Sequence, residues 1–369
     1  MAAPSDPIPA MPTAIAEADG ASGRLRYRGV DVADLVRRVT FGEVWGLLVD
    51  GRFGAGLPPA ERFPLPIRTG DVRVDVQSAL AMLAPVWGFR PLHDIDVATA
   101  REQLGRASTM AMSFIAQSGR GTDQPFVPEH EIGQADTVVG RFLTRWRGEA
   151  NPAHLAALDG YFTVAAEHGL NASTLTARVI ASTGADVAAC LSGAVGAISG
   201  PLHGGAPTRV LRMIQEAEAT GDPAGFVRHV LDSGARLMGF GHRVYVGEDP
   251  RAAAVRELAV RLQAPLVPVA LELERAALDA LAERRPDRPL GVNMEYWAAV
   301  LLHGAQVPPR LFTALFVCAR TAGWSAHILE QKILGQPIRP VAAYAGEGPR
   351  DLAAVPGWTD IPPSHRLAG

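Results

Sequence analysis

One pattern runs through almost the whole chain: apolar residues fall three and four positions apart, in stretches closed by glycine or proline. That spacing places them on one face of an α-helix and leaves little room for an extended sheet. Val32, Leu35, Val36 and Val39 follow it. Thr40-Phe-Gly-Glu43 then reads as a capping box. The helix it opens continues through Val44, Leu47 and Leu48 and stops at Gly51. Val72, Val74 and Val76 alternate as a strand would, but Gln77 to Leu83 runs on in helix formers, so a helix is expected. Further helices are expected over 95–118, 135–146, 153–167, 173–183, 186–199, 206–218, 223–234, 250–262 and 270–284, from Gly291 onward, and over 308–330. Asn151-Pro152 is a good entrance to the helix over 153–167. The polar segment 119–134 reads as a loop, and the last forty residues, rich in proline and glycine, as an irregular tail.

The pattern predicts an all-α protein. At 369 residues the chain is long for one simple core, so two domains are expected. The stretch 206–300 lies between glycine-rich junctions and reads as a small domain inserted into a larger one, made of 13–205 and 301–369. Residues 1–12 read as a flexible tail. A net charge of −3 supplies no basic field, so nucleic acid is not expected as a partner. Cys190 and Cys318 lie far apart in apolar surroundings and read as reduced core residues. The opening MAAPSDPIPAMP has neither the basic start nor the apolar core of a signal peptide, and no run is long and apolar enough for a membrane span. A cytoplasmic protein without membrane contact is expected. No H-E-x-x-H, C-x-x-C or P-loop occurs, so no metal site is expected.

Two histidines stand apart from the other eight. His203 sits in Gly200-Pro-Leu-His-Gly-Gly-Ala, and His242 in Gly239-Phe-Gly-His-Arg-Val-Tyr with Asp249-Pro-Arg251 close behind. Flanking glycines allow tight turns and close approach of a ligand, which core packing does not need. His168 ends a helix at Gly169-Leu-Asn171-Ala-Ser-Thr, where polar groups gather at a turn. His327 lies on a helix and reads as a packed, hydrogen-bonded residue; the remaining six read as surface or structural. Three histidines at helix ends and a carboxylate at Glu295 suit proton abstraction beside a carbonyl. Such a reaction needs a base, a donor to the enolate oxygen and a donor to an electrophile. Arg251, Arg320 and Arg339 suit the carboxylates of a small diacid. Taken singly, an arginine usually forms a surface ion pair, and spacing does not bring the three together. Glu295 likewise reads as a helix-entrance acid if taken alone.

Read together, these segments resemble the citrate synthase family. The resemblance rests on Gly200-Pro-Leu-His203-Gly-Gly-Ala, Gly239-Phe-Gly-His242-Arg-Val-Tyr…Asp249-Pro-Arg251-Ala, Ala319-Arg320-Thr-Ala-Gly-Trp324 and Glu167-His168-Gly-Leu-Asn171-Ala-Ser-Thr. Gly23-Arg-Leu-Arg-Tyr-Arg-Gly29 resembles the family's opening, and the match runs in order from about residue 13 to about 345. It implies a two-domain helical fold with a mobile small domain, an obligatory homodimer and an active site in the cleft between domains. His203 would then donate to the enolate oxygen of acetyl-CoA, and His242 would polarise the ketone of oxaloacetate. His168 would hydrogen-bond oxaloacetate, Arg251 and Arg320 would hold its carboxylates, and Arg339 would reach in from the partner subunit. Acetyl-CoA is a substrate in this reading and no cofactor is implied. The chain departs from the family at Asn293-Met-Glu295-Tyr-Trp, where the family usually has aspartate as the base, and at Val246, where a lysine often stands.

The resemblance therefore implies condensation of acetyl-CoA with oxaloacetate to citrate and CoA. Two alternatives stay open: the same chemistry with propionyl-CoA, giving 2-methylcitrate, and an impaired homologue that binds CoA or dicarboxylates. One methylene in an acyl pocket is worth only about 1–3 kcal/mol, so no motif decides between the first two. Glu295 is the only feature that speaks for the third.

Overall fold

The computed structural model describes residues 11–366, apart from 55, 201, 202, 204, 205 and 288. Of the expected N-terminal tail, residues 1–10 lie outside the described residues. The chain divides into two units. One runs from Met11 to Ile338; the other includes the C-terminal stretch from Arg339. In that stretch the described residues form only two short 3₁₀ turns, Leu352–Ala354 and Pro363–His365.

The 11–338 unit is helical, as its periodicity predicts, and is built around the helix Phe312–Leu334. Between Phe312 and Leu329 nearly every side chain of that helix is buried. A helix apolar on all sides belongs in a core, and this one packs on Phe41–Asp50, Val97–Arg120, Pro152–Ala165, Ala172–Ser182 and Val187–Ile198. The last two form a close antiparallel pair, and Val187–Ile198 packs in turn on Val72–Trp87. Small residues along Val187–Ile198, among them Ala188, Ala194 and Gly193, permit this close approach. Val72–Trp87 is a helix despite its alternating valines, with the Asp71 side chain accepting from the Arg73 and Val74 amides.

Within 206–300, Ala206–Thr220 packs on Met294–Gly304 and on Val267–Arg284, and Pro223–Asp232 packs on Val267–Arg284. Pro250–Arg261 packs on Met294–Gly304 and also on Pro152–Ala165. Among the described residues no helix is long and apolar enough to cross a membrane.

Three local readings differ from the sequence expectation. A three-stranded antiparallel sheet, Ala16–Asp19, Arg24–Tyr27 and Val30–Asp31, precedes the helices, with Ala16 opposite Tyr27. Ala-Glu-Ala-Asp has poor strand propensity and is held extended by its partner, so it leaves no local signal. The capping box at Thr40 does not form: Thr40 makes no side-chain cap bond, and Glu43 Oε2 accepts from the Gly54 amide instead. The free Phe41 amide donates to Asp159, which reaches across from the helix Pro152–Ala165. The expected loop 119–134 also contains one helical turn, Glu129–Ile132.

Candidate active site

The loop that carries His242 is strapped to the entrance of the helix Met294–Gly304. Phe240 bridges Val292 and Gly247 bridges Leu290. The Gly241 amide donates to Gly291 O at 2.7 Å, Asn293 N to Gly239 O at 2.9 Å, and Asp249 N to Val292 O at 3.0 Å. Gly241 takes φ 82°, the left-handed turn its flanking position foretold. Two stretches distant in sequence are thereby fixed together, one bearing His242 and Arg251, the other Glu295 in the first helical turn.

Asp249 is the hub of this assembly. It caps the helix Pro250–Arg261 and grips the Arg251 guanidinium with both oxygens, Nε to Oδ1 at 3.0 Å and Nη2 to Oδ2 at 2.7 Å. Its Oδ2 also accepts from the Met294 amide at 3.3 Å, tying Arg251 to the helix of Glu295. His242 Nδ1 accepts from the amides of Val244 (3.1 Å) and Tyr245 (3.3 Å). The neutral ring therefore carries its proton on Nε2, which stands 3.3 Å from Arg251 Nη2. Two donors face the same spot, an arrangement completed by an acceptor oxygen set against both.

His168 and Tyr245 complete this corner. His168 Nε2 lies 3.0 Å from Tyr245 Oη, the Tyr245 ring stacks on His242 at 4.9 Å, and the two histidine rings meet edge-on at 5.1 Å. Burial pushes the Tyr245 phenol up to about 12, so it stays protonated.

His203 follows the end of the helix Val187–Ile198, its amide bonded to Gly200 O. Its Nε2 lies 3.0 Å from Ser173 Oγ and 3.2 Å from Asn171 Oδ1. Asn171 caps the helix Ala172–Ser182, and Ser173 Oγ accepts from Trp324 Nε1 at 3.2 Å. The His203 ring meets Phe316 edge-on at 6.1 Å, and the Arg320 guanidinium lies over the same phenyl ring, 4.8 Å from its centroid.

Arg320 is buried, yet among the described residues its Nε and Nη1 have no hydrogen-bond partner. Charge links it to the other groups. Burial pushes His168 far below the usual histidine range, and the Arg251 and Arg320 charges push it further. Burial and then Arg320 lower His203; burial and then Arg251 lower His242. All three are neutral donors at neutral pH. Burial raises the Glu295 carboxyl, with Arg251 and Arg320 opposing the rise. Six of the seven expected residues, His168, His203, His242, Arg251, Glu295 and Arg320, thus belong to one electrostatic assembly. Arg339, the seventh, is exposed at the start of the C-terminal unit.

Next to His242 opens a cavity of about 690 Å³. Arg236, Arg243, Arg284 and Arg285 line it together with Phe240 and Leu290. Sequence reasoning did not single out these arginines, since adjacent basic residues on a polar helix end carry no distinctive spacing. It also passed over Tyr245, Ser173 and Glu167, which lay inside the quoted motifs but were assigned no task. Val246, at the departure from the family pattern, is 75% exposed.

Comparison with known proteins bears on this assembly. A family model described as "Citrate synthase, C-terminal domain" matches residues 6–341. The chain is 62% identical over 357 residues to "Putative citrate synthase 2" of Mycobacterium tuberculosis H37Rv, covering 96% of each. It is 33% identical to the 2-methylcitrate synthase of Shewanella oneidensis, covering 91% of this chain and 92% of the relative. The crystal structure of citrate synthase from Thermotoga maritima superposes with a TM-score of 0.74 at 28% identity, covering 98% of both chains.

Proposed function

The chain belongs to the citrate synthase family, and we propose that it joins acetyl-CoA to oxaloacetate, giving citrate and CoA. It is a condensing acyltransferase; the choice of substrates and the task of each residue are this proposal. The observation that carries it is the Arg320 guanidinium, buried with Nε and Nη1 unpartnered amid neutral histidines. A buried cation with free donors is costly unless a ligand completes it, and guanidinium matches carboxylate. A keto diacid brings both the carboxylate and the ketone oxygen that His242 Nε2 and Arg251 Nη2 would receive together.

In this reading Glu295 removes a proton from the methyl group of the thioester. The enolate oxygen takes a hydrogen bond from His203. For His203 to donate from Nδ1, its Nε2 must accept; this requires the Ser173 hydroxyl to turn from Asn171 Oδ1 at 2.8 Å to Nε2 at 3.0 Å while Trp324 holds its oxygen. The enolate carbon then attacks the ketone carbon, a C–C bond forms, and the charge gathering on the ketone oxygen meets His242 and Arg251. Water finally cleaves the thioester and releases CoA. The arginine-lined cavity beside His242 suits the phosphates of CoA, with Phe240 and Leu290 as apolar walls. Arg339 as a contribution from a partner subunit, a homodimer and a mobile 206–300 domain belong to the same proposal.

The 33% identical 2-methylcitrate synthase keeps a second acyl donor in play. Thiol release measured with oxaloacetate and either acetyl-CoA or propionyl-CoA tests both. A higher kcat/KM with acetyl-CoA is expected; a higher value with propionyl-CoA would move the assignment to 2-methylcitrate, and no release with either would refute the condensation.

A further inference from the structure

Arg320, Gly323, Trp324 and His327 stand three, four and seven residues apart on the helix Phe312–Leu334, so they share one face. That face covers the junction between Pro152–Ala165 and Ala172–Ser182, where Glu167 lies. A Cβ at position 323 would overlap Glu167 Oε2, so glycine there admits the carboxylate. Glu167 is fully buried, and neither oxygen has a well-formed hydrogen bond among the described residues. His327 Nε2 stands 3.2 Å from Oε1. Behind His327 the polar chain continues. Arg178 Nη1 lies 3.0 Å from His327 Nδ1 and also pairs with Glu330 Oε2, and Arg178 Nε donates to Gln331 at 3.1 Å. Glu330 Oε1 accepts from the Ala14 amide at 2.9 Å. Arginine only donates, so His327 Nδ1 accepts and the ring's proton sits on Nε2, which is close to Glu167 Oε1 without being aligned on it as a hydrogen bond.

Glu167 and Arg320 form no direct ion pair, yet the carboxylate's charge opposes the downward pull of burial on the Arg320 guanidinium. A counter-charge held at a distance compensates the guanidinium without occupying its donors. We propose that Glu167 and His327 are positioning residues for Arg320. Glu167 supplies the counter-charge that keeps the guanidinium in the site with its donors free for a substrate carboxylate, and His327, fixed by Arg178, holds Glu167 in place. The inference rests on the reading of Arg320 as a carboxylate ligand.

Kinetics and melting of variants of the full chain test it. Glu167→Gln keeps the shape and removes the charge; it is expected to raise the KM for oxaloacetate about tenfold and leave that for the acyl-CoA within about twofold. Glu167→Asp keeps the charge and recovers part of the loss, and His327→Ala shows the same selective rise in the oxaloacetate KM. Equal rises in both KM values, or oxaloacetate handled by Glu167→Gln as by the parent, would overturn the proposal. A second measurement needs no substrate. In the ligand-free protein Glu167→Gln should lower the melting temperature by leaving Arg320 uncompensated, and adding Arg320→Met should restore part of it. If calorimetry finds no oxaloacetate binding by the parent, the proposed function fails, and this melting cycle alone decides: recovery in the double variant upholds the counter-charge, and additive losses overturn it.

Discussion

In the proposed reaction Glu295 combines two demands that pull against each other. It must be ionised to act as a base, yet burial raises its carboxyl above the usual range, and Arg251 and Arg320 only partly oppose the rise. Glu295→Gln is expected to lower turnover on the order of 100-fold or more and to remove the acid limb of the kcat/KM profile, which steady-state assays across pH would record. The same shift has a stability consequence. A carboxyl whose folded pKa is raised favours the fold at low pH, and that contribution is lost as pH rises past the unfolded value. Glu295→Gln should therefore melt above the parent at pH 7, with the gain shrinking toward pH 4. The histidines act with the opposite pH dependence. His168, His203 and His242 are all held neutral by burial and nearby arginines, so the unfolded chain binds protons that the folded chain refuses. Stability should fall as pH drops through about 6.5. Urea titrations at pH 7.5 and 5.5 would show it, and His168→Asn should flatten the difference.

Among the elements, the helix Phe41–Asp50 shows how a local signal can be overridden by a distant one. Its Thr40-to-Glu43 pattern promises self-capping, yet the Phe41 amide bonds to Asp159 at 3.1 and 3.2 Å from a neighbouring helix. Asp159→Ala should cost about 1–2 kcal/mol in urea denaturation, as the loss of a helix cap does. Burial pushes the Asp159 carboxyl up to about 6. Its contribution is therefore strongest below the unfolded value and is lost as pH rises through about 6. Asp159→Asn, which still accepts from the amide but carries no charge, should be more stable relative to the parent at pH 7 than at pH 4. A ratio that does not change with pH would show that the carboxylate is not held in the way described.

For the whole molecule, the proposed function makes closure of the 206–300 segment around oxaloacetate the step that excludes water before the thioester is attacked. The His242 loop and the Glu295 helix entrance both lie in that segment and are strapped together, whereas His168, His203 and Arg320 lie outside it. His168 already touches Tyr245 and His242 across this division, and closing would set both groups on the substrate. Saturating oxaloacetate should then tighten acyl-CoA binding, and by linkage the acyl-CoA should tighten oxaloacetate binding by the same factor. Paired calorimetric titrations check this; independent binding of the two would contradict closure. Light scattering should give twice the chain mass at micromolar concentration if the proposed homodimer forms.

The helices were legible in the sequence because their cause is local: apolar residues at helical spacing, with Asn151-Pro152 and the glycines after helix ends as punctuation. The glycine-flanked histidines were legible because turns and close approaches leave glycines behind, as at Gly241 with φ 82°. The small N-terminal sheet was not, since Ala16–Asp19 is extended only by virtue of its ladder with Arg24–Tyr27. Nor was the capping of Phe41 by Asp159, which depends on two helices meeting. The sequence named the groups of the candidate site, but only the tertiary structure decided their states. Neutral histidines, a raised Glu295 and an Arg320 with free donors all follow from burial and from charges brought near by folding. Such energies depend on distance in space, and spacing along a chain does not contain them.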